Sequence, residues 1–314
     1  MKTARIASRL WPMTTLVFAA GWIACCSSIS VAQQKNDYPP HFEGAVEHVY
    51  CKRGDTPLKL YAFHPSQTFK SPRPAIVFFF GGGWASGNPR QFEQHCRYLA
   101  SRGMVAITAD YRVSTRHATK AIDAVQDAID AFTFVRQHAQ EWNIDPNRIA
   151  ASGGSAGGHL AACLSTVPAP LPLSTRKESH PNALILYNPA AALAAYPGMQ
   201  AATQKRTVGL AERMGTDPIE LSPAHHVSKD MPPTIQFFGT DDDLLEGAKF
   251  MHDQMKERGV RSELITYEGQ AHGFFNYGRN SNKYFLETLD ATDTFLQSLG
   301  WLEGPSQVRS HFSK

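Results

Sequence analysis

Cysteine is scarce in this chain: there are five in 314 residues, at positions 25, 26, 51, 96 and 163. Their spacing fits no zinc motif, and the three beyond residue 32 cannot all pair with one another. Neither a structural metal site nor a disulfide framework is therefore expected. Cys163 lies in an apolar helical run and reads as a buried free thiol. Long runs of lysine or arginine are also missing, which excludes a nucleic-acid surface of the usual electrostatic kind. No repeat with a period of roughly 20–50 residues recurs, and no Pro/Ser/Gly-rich linker divides the middle, so a solenoid and a two-domain arrangement both fall away. What is present is a composition 42% hydrophobic and 19% charged, ordinary for one globular domain with a sizeable core.

The first residues differ from the rest. Lys2, Arg5 and Arg9 form a basic start, an apolar stretch runs from about Leu10 to Cys25, and Ser30-Val31-Ala32 supplies small residues at a cleavage point, the anatomy of a secretory signal peptide. Pro12, and a length short of the roughly 20 residues of a membrane span, count against an uncleaved anchor. Lipoprotein attachment at Cys25 is an alternative, against which Trp22 stands where an aliphatic residue is usual. The expectation is a signal over residues 1–32 and one domain over 33–314, exported to the periplasm or the medium, with no stable membrane insertion after cleavage. Losing residues 1–32 removes three basic and no acidic residues and leaves a formal charge of zero.

Val46 to Cys51 and Leu58 to Phe63 alternate apolar and polar side chains and read as an antiparallel strand pair. Ala75–Phe80, Met104–Thr108, Arg148–Ser152, Ala183–Tyr187, Thr234–Phe238 and Ser262–Tyr267 are short apolar runs that fit strands buried in a parallel sheet. Helical segments lie between them. The clearest places Ile122, Val125, Ile129, Phe132 and Val135 on one stripe, with Asp123, Asp127 and Asp130 opposite. This alternation predicts an α/β fold, a mostly parallel sheet with helices on both faces and ligand sites beyond the carboxyl ends of the strands. Residues from about 190 to 222 are too many for an ordinary connection and read as a small helical cap inserted in the domain.

The chemistry-bearing residues follow strands. Arg148–Ser152 runs into Gly153-Gly154-Ser155-Ala156-Gly157-Gly158 and then a helix, the strand–turn–helix context that makes Gly-x-Ser-x-Gly a nucleophile turn with Ser155 exposed. Gly81-Gly82-Gly83-Trp84, after Ala75–Phe80, can offer backbone amides to an oxyanion, so Gly82 or Gly83 together with Ala156 are the candidate donors. Of thirteen histidines, His272 sits in a glycine-punctuated loop after the last strand, in the chain order serine, acid, histidine, and is the candidate base. His159, one helical turn from Ser155, reads as helix packing, and the adjacent His225 and His226 as structural residues of the cap rather than metal ligands. The acid comes from Asp241, Asp242 or Asp243 after Thr234–Phe238, the other two being suited to capping the helix that starts near Leu244. Trp84, Phe274 and Phe275 stand in loops expected to crowd the substrate's acyl group, with Trp84 and Phe274 as substrate-binding candidates.

Together with Asp110-Tyr111-Arg112, Ile144-Asp145-Pro146-Asn147-Arg148-Ile149, Gly239-Thr240-x-Asp242 and Ala271-His272-Gly273-Phe274, these motifs resemble the acetyl-esterase-like, hormone-sensitive-lipase-related branch of the α/β-hydrolases, over about Val46 to Leu299. The resemblance implies Asp242 as the acid, an esterase without metal or cofactor, and a small-molecule or carbohydrate ester, acetyl or feruloyl, as substrate. It leaves two alternatives: an amidase or peptidase with the same triad, and a non-catalytic hydrolase-fold binding protein. One departure is visible. Phe80 stands where the family's oxyanion loop usually begins with histidine, so a hydrophobic contact is expected to replace an imidazole hydrogen bond as its brace.

Overall fold

The computed structural model describes residues 38–166 and 178–313; the expected signal peptide lies outside them. Eight strands, β1 (Val46–Arg53), β2 (Thr56–Phe63), β3 (Arg73–Phe79), β4 (Val105–Ala109), β5 (Ile144–Gly154), β6 (Ala183–Tyr187), β7 (Thr234–Gly239) and β8 (Ser262–Tyr267), form one sheet in the order β1-β2-β4-β3-β5-β6-β7-β8. β1 and β2 pair antiparallel, as do β2 and β4, and every other neighbour is parallel. The period of two sorts side chains between two cores. Ala75, Val77 and Phe79 of β3 face the first, while Ile76 and Phe78 face the second. Edge strand β8 is only partly buried, whereas β4, β6 and β7 are buried throughout.

Strand positions follow the apolar runs except in β5, which begins at Ile144 rather than Arg148. Arg73 pairs with Ile144 and Ala75 with Ile149, so the ladder carries an irregularity where Pro146, with no N–H to donate, is absorbed. Helices α1 (Glu93–Ser101), α2 (Ser114–His117), α3 (Ala121–Gln137), α4 (Ala156–Thr166), α5 (Ala201–Thr207), α6 (Leu210–Met214), α7 (Leu245–Glu257), α8 (Lys283–Ser298) and α9 (Val308–Phe312) connect and cover the strands. Residues of α3, α4 and α7 pack into the first core, those of α1 and α8 into the second. Asp127 of α3 departs from the expected solvent face. It is fully buried, and its carboxylate accepts two hydrogen bonds from the Arg112 side chain and one from Arg53, which tie α3 to β1 and to the chain after β4. A buried carboxylate is tolerated only when paired in this way.

After β6 the chain makes α5 and α6 and two short 3-10 turns, Pro218–Leu221 and Pro223–His225, before returning to the sheet. Glu246 of α7 fastens α5, accepting the Gln200 N–H at 2.7 Å and the Thr203 hydroxyl. At the base of this segment His225 Nδ1 bonds Ser222 at 2.7 Å and Nε2 bonds the Ala195 carbonyl at 3.0 Å, while His226 Nε2 bonds the Ile219 carbonyl at 2.7 Å. The two rings hold backbone, and no group of three potential metal ligands occurs among the described residues.

Candidate active site

The carboxyl ends of β3, β5, β6, β7 and β8, five successive neighbours in the sheet, each lead into a residue of one cluster. At the end of β5, Ser155 has φ 55°, a left-handed conformation that costs a serine roughly 1–3 kcal/mol unless its surroundings enforce it. They do: its N–H donates to the Tyr187 carbonyl at 2.8 Å, and its own carbonyl accepts the His159 N–H of α4 at 2.9 Å. Two glycines let the layers close. A Cβ on Gly157 would lie 2.0 Å from the Phe79 carbonyl oxygen, and one on Gly153 would lie 2.4 Å from the Gly157 carbonyl carbon. The Ser155 hydroxyl is thereby held above the sheet at the amino end of α4, where the helix dipole favours developing negative charge.

His272 meets it from the loop after β8. Its Nε2 lies 2.8 Å from Ser155 Oγ and its Nδ1 lies 2.8 Å from Asp242 Oδ2, which fits Nδ1 as donor and Nε2 as acceptor of the serine proton. Asp242 is 5% exposed and both its carboxylate oxygens are engaged: Oδ2 also accepts the Asn188 amide at 2.7 Å, and Oδ1 accepts the Leu244 N–H at 2.9 Å. The division of labour expected among the three aspartates therefore shifts, because the residue that faces His272 also bonds the first amide at the start of α7. Asn188 was not singled out from sequence. It follows β6 with φ 46°, a conformation asparagine tolerates, and its side-chain Oδ1 accepts the Gly273 N–H at 3.3 Å, so it ties the acid to the histidine loop.

The loop after β3 approaches the serine from the other side. A Cβ on Gly81 would fall 2.8 Å from the Gly154 carbonyl and 3.3 Å from Ser155 Cβ. The Gly82 carbonyl accepts the N–H groups of Ala85 and Ser86, both at 3.1 Å, which fixes the peptide that carries the Gly83 N–H. Ala156 opens α4, where the first amides of a helix lack intrahelical acceptors. Phe80 is fully buried and stacks on Tyr111 at 4.0 Å between centroids. The contact is not purely hydrophobic bracing, however. The Tyr111 hydroxyl donates to the Phe80 carbonyl at 2.6 Å, and Gln91 Oε1 accepts the Gly81 N–H at 2.6 Å while its Nε2 donates to Asn276 at 2.7 Å. Asn276 in turn donates to the Gly273 carbonyl at 2.8 Å, so one chain of hydrogen bonds links the glycine loop to the histidine loop. Gln91 carries no signal in the sequence.

A cavity of about 380 Å³ opens beside Ser155, with an apolar floor that includes Trp84, Ala156, Leu193 and Leu244. Trp84 lines it. Phe274 does not: it is 2% exposed and packs against Tyr267 and Tyr284, and its neighbour Phe275 stacks on Tyr187 within the second core. Both rings are taken into the second core, and their burial stabilises the histidine loop instead. His159 is more than helix packing. Fully buried, with its pKa pushed down to about 4 by burial, it accepts the Trp84 indole N–H at Nδ1 (3.2 Å) and reaches the Leu221 carbonyl through Nε2 (2.7 Å).

The alpha/beta hydrolase fold family matches residues 76–276. The esterase Est2 of the Planctomycetes species Thermogutta terrifontis, solved with propionate bound, is 46% identical over 86% of this chain and 99% of that one, with a TM-score of 0.78. The same enzyme has been solved phosphonylated by sarin. Curated relatives include a probable isoprenylcysteine alpha-carbonyl methylesterase of Arabidopsis thaliana, 26% identical over 70% of this chain and 49% of that protein. The probable carboxylic ester hydrolase LipM of Mycobacterium tuberculosis is 27% identical over 65% of this chain and 49% of its own. The chain spans about half the length of these two relatives. It belongs to the α/β-hydrolase fold family, in the acetyl-esterase-like branch, where its homologues and structural neighbours are esterases.

Proposed function

We propose that this protein is a serine carboxylesterase that hydrolyses short-chain esters through an acyl-enzyme on Ser155. The observation that carries the reading is the unbroken line from Asp242 through His272 to Ser155, with both contacts at 2.8 Å. His272 Nε2 takes the hydroxyl proton as Ser155 Oγ bonds to the ester carbonyl carbon. The carbonyl π electrons move to oxygen, which the N–H groups of Ala156 and of Gly82 or Gly83 receive. Collapse expels the alkoxide, which His272 protonates. Water, deprotonated by the same imidazole, then releases the acid and restores the serine. Asp242 keeps the imidazole in the right tautomer and supports its positive charge. The sarin adduct of the 46% identical Est2 agrees with a reactive serine.

The alcohol must leave within reach of His272, which protonates it. The cavity is lined by Ser155, Gly83 and Ala156 but not by His272, so it lies on the acyl side. That Est2 has been solved with propionate and with butyrate bound supports a short acyl group as substrate for this chain. On the leaving-group side the His272 side chain is 44% exposed, which leaves room for a bulky alcohol such as the carbohydrate of an acetylated or feruloylated polysaccharide. Ser155→Ala tests the reading: it is expected to fold as the wild type, by circular dichroism, and to lose at least about 10⁴ in kcat on p-nitrophenyl butyrate. Retention of half the wild-type rate refutes it. Acetyl and butyryl esters, with acetylated xylan alongside, are expected to outrun octanoyl esters. The basic–apolar–small sequence of residues 1–32 supports export, and amino-terminal sequencing of the protein made in cells is expected to begin at Gln33.

A further inference from the structure

A second cavity, of about 220 Å³, lies against the first and is lined by Ser114, Thr119, Lys120 and Glu212. The two share three lining residues, Gly83, Trp84 and Arg213. Arg213 belongs to α6. From there its Nε donates to the Gly83 carbonyl at 3.2 Å, its Nη2 donates to the same oxygen, and its guanidinium lies over the Trp84 ring, 5.0 Å from the centroid. The space it fills is reserved by the glycine. A Cβ on Gly83 would sit 2.2 Å from Arg213 Nη2. One flexible side chain, held against the Gly83 carbonyl and the Trp84 indole, is thus common to the walls of both spaces.

We infer that Arg213 is a specificity-determining partition: it ends the acyl cavity and shuts off the second one, which becomes an extension of the acyl site when the side chain is shortened. The inference rests on the esterase reading above and deepens it. The physical basis is volume and contact. A methylene chain entering from Ser155 meets a charged group already engaged with a carbonyl and an aromatic face, and displacing that group breaks two hydrogen bonds and a cation–π contact. Short acyl groups stop before the barrier and are indifferent to it.

The test compares kcat/KM for p-nitrophenyl butyrate and octanoate in the wild type, Arg213→Ala, Arg213→Met and the double variant Arg213→Ala/Ser114→Phe. Arg213→Ala is expected to raise the octanoate-to-butyrate ratio at least about tenfold, chiefly through a lower KM for octanoate. Arg213→Met refills the volume but not the two hydrogen bonds or the cation–π contact, and should give a ratio between those of the wild type and the alanine variant. Ser114→Phe, blocking the second cavity, should return the ratio of the alanine variant toward the wild-type value. If Arg213 only steadies the glycine loop, kcat will fall alike for both esters and the ratio will not move, which overturns the inference. If the wild type hydrolyses neither ester, the esterase reading itself fails and the inference with it.

Discussion

Ser155, Asp242 and His272 come from three strand ends separated by up to 117 positions in sequence, yet each follows a recognisable signal: a glycine-flanked turn, an acidic turn, a glycine-punctuated histidine loop. Sequence leaves three aspartates for one role because adjacent residues share every local property. Geometry separates them. Asp242 is buried against His272 and Asn188, Asp243 lines the cavity, and Asp241 is exposed, its carboxylate accepting the Thr240 hydroxyl at 3.4 Å while its N–H donates to the Gln270 carbonyl at 3.0 Å. Three single Asp→Asn variants are expected to divide accordingly. Asp242→Asn should lose about 10⁴ in kcat, since the imidazole loses the partner of its Nδ1 proton. Its Oδ1 remains an acceptor for the Leu244 N–H, but the new NH2 group faces the buried Asn188 amide donor that Oδ2 had accepted, so roughly 1–3 kcal/mol of stability should go with it. Asp241→Asn and Asp243→Asn should stay within about tenfold. A dead Asp243→Asn beside an active Asp242→Asn, measured with thermal melts as a folding control, would move the acid by one position.

The oxyanion loop shows what an element borrows from others. Its glycines are plain in the sequence, but its brace is not, because Gln91 sits in the short 3-10 turn Pro89–Phe92 and acts on Gly81 through a side chain that no local pattern distinguishes. Phe80 leads one to expect a purely hydrophobic brace. In the fold the missing imidazole bond is replaced by the Tyr111 hydroxyl on the Phe80 carbonyl and by Gln91 on the Gly81 amide. Because the Gln91 link continues through Asn276 to Gly273, it sets the distance between the oxyanion donors and the loop of His272. A misplacement of about 1 Å in such a constellation can cost about 10² in rate. Gln91→Leu is therefore expected to lower kcat by roughly 10–100-fold with KM nearly unchanged, while Gln91→Glu, which keeps the acceptor for Gly81, should recover part of it. Equal kinetics in wild type and Gln91→Leu would show that the loop holds itself.

At the scale of the whole molecule, the apolar runs of the sequence carry the sheet, since strands buried on both faces are mostly apolar, with Thr108, Ser152, Thr234 and Gln236 as fully buried exceptions, and the strand ends then locate the site. Buried polar groups are the part that stays hidden, because burial is decided by partners distant in sequence. His95 is the clearest case: a fully buried ring among Phe78, Phe92, Tyr187 and Phe285, with neither nitrogen hydrogen-bonded among the described residues and its pKa pushed down to about 3 by burial. His159 lies at about 4 for the same reason, and burial also lowers His48, His64, His117, His180 and His252. Between about pH 6.5 and 4 the unfolded chain binds protons at these sites that the folded chain refuses, so stability falls as pH falls through that window. Asp110, raised to about 6 by burial, acts in the opposite sense between about 4 and 6, as a single group against several. Melting temperature is expected to drop from pH 6.5 to 4, and the drop should be smaller in His95→Phe; an equal drop in both would remove His95 from the account. The claim on which the rest depends is that Ser155 is the reacting atom's owner. Intact-mass and peptide-mapping mass spectrometry after treatment with a fluorophosphonate tests it most directly: the account predicts one adduct, on the peptide carrying Ser155 and absent in Ser155→Ala, and an unmodified protein or an adduct on any other residue would contradict it.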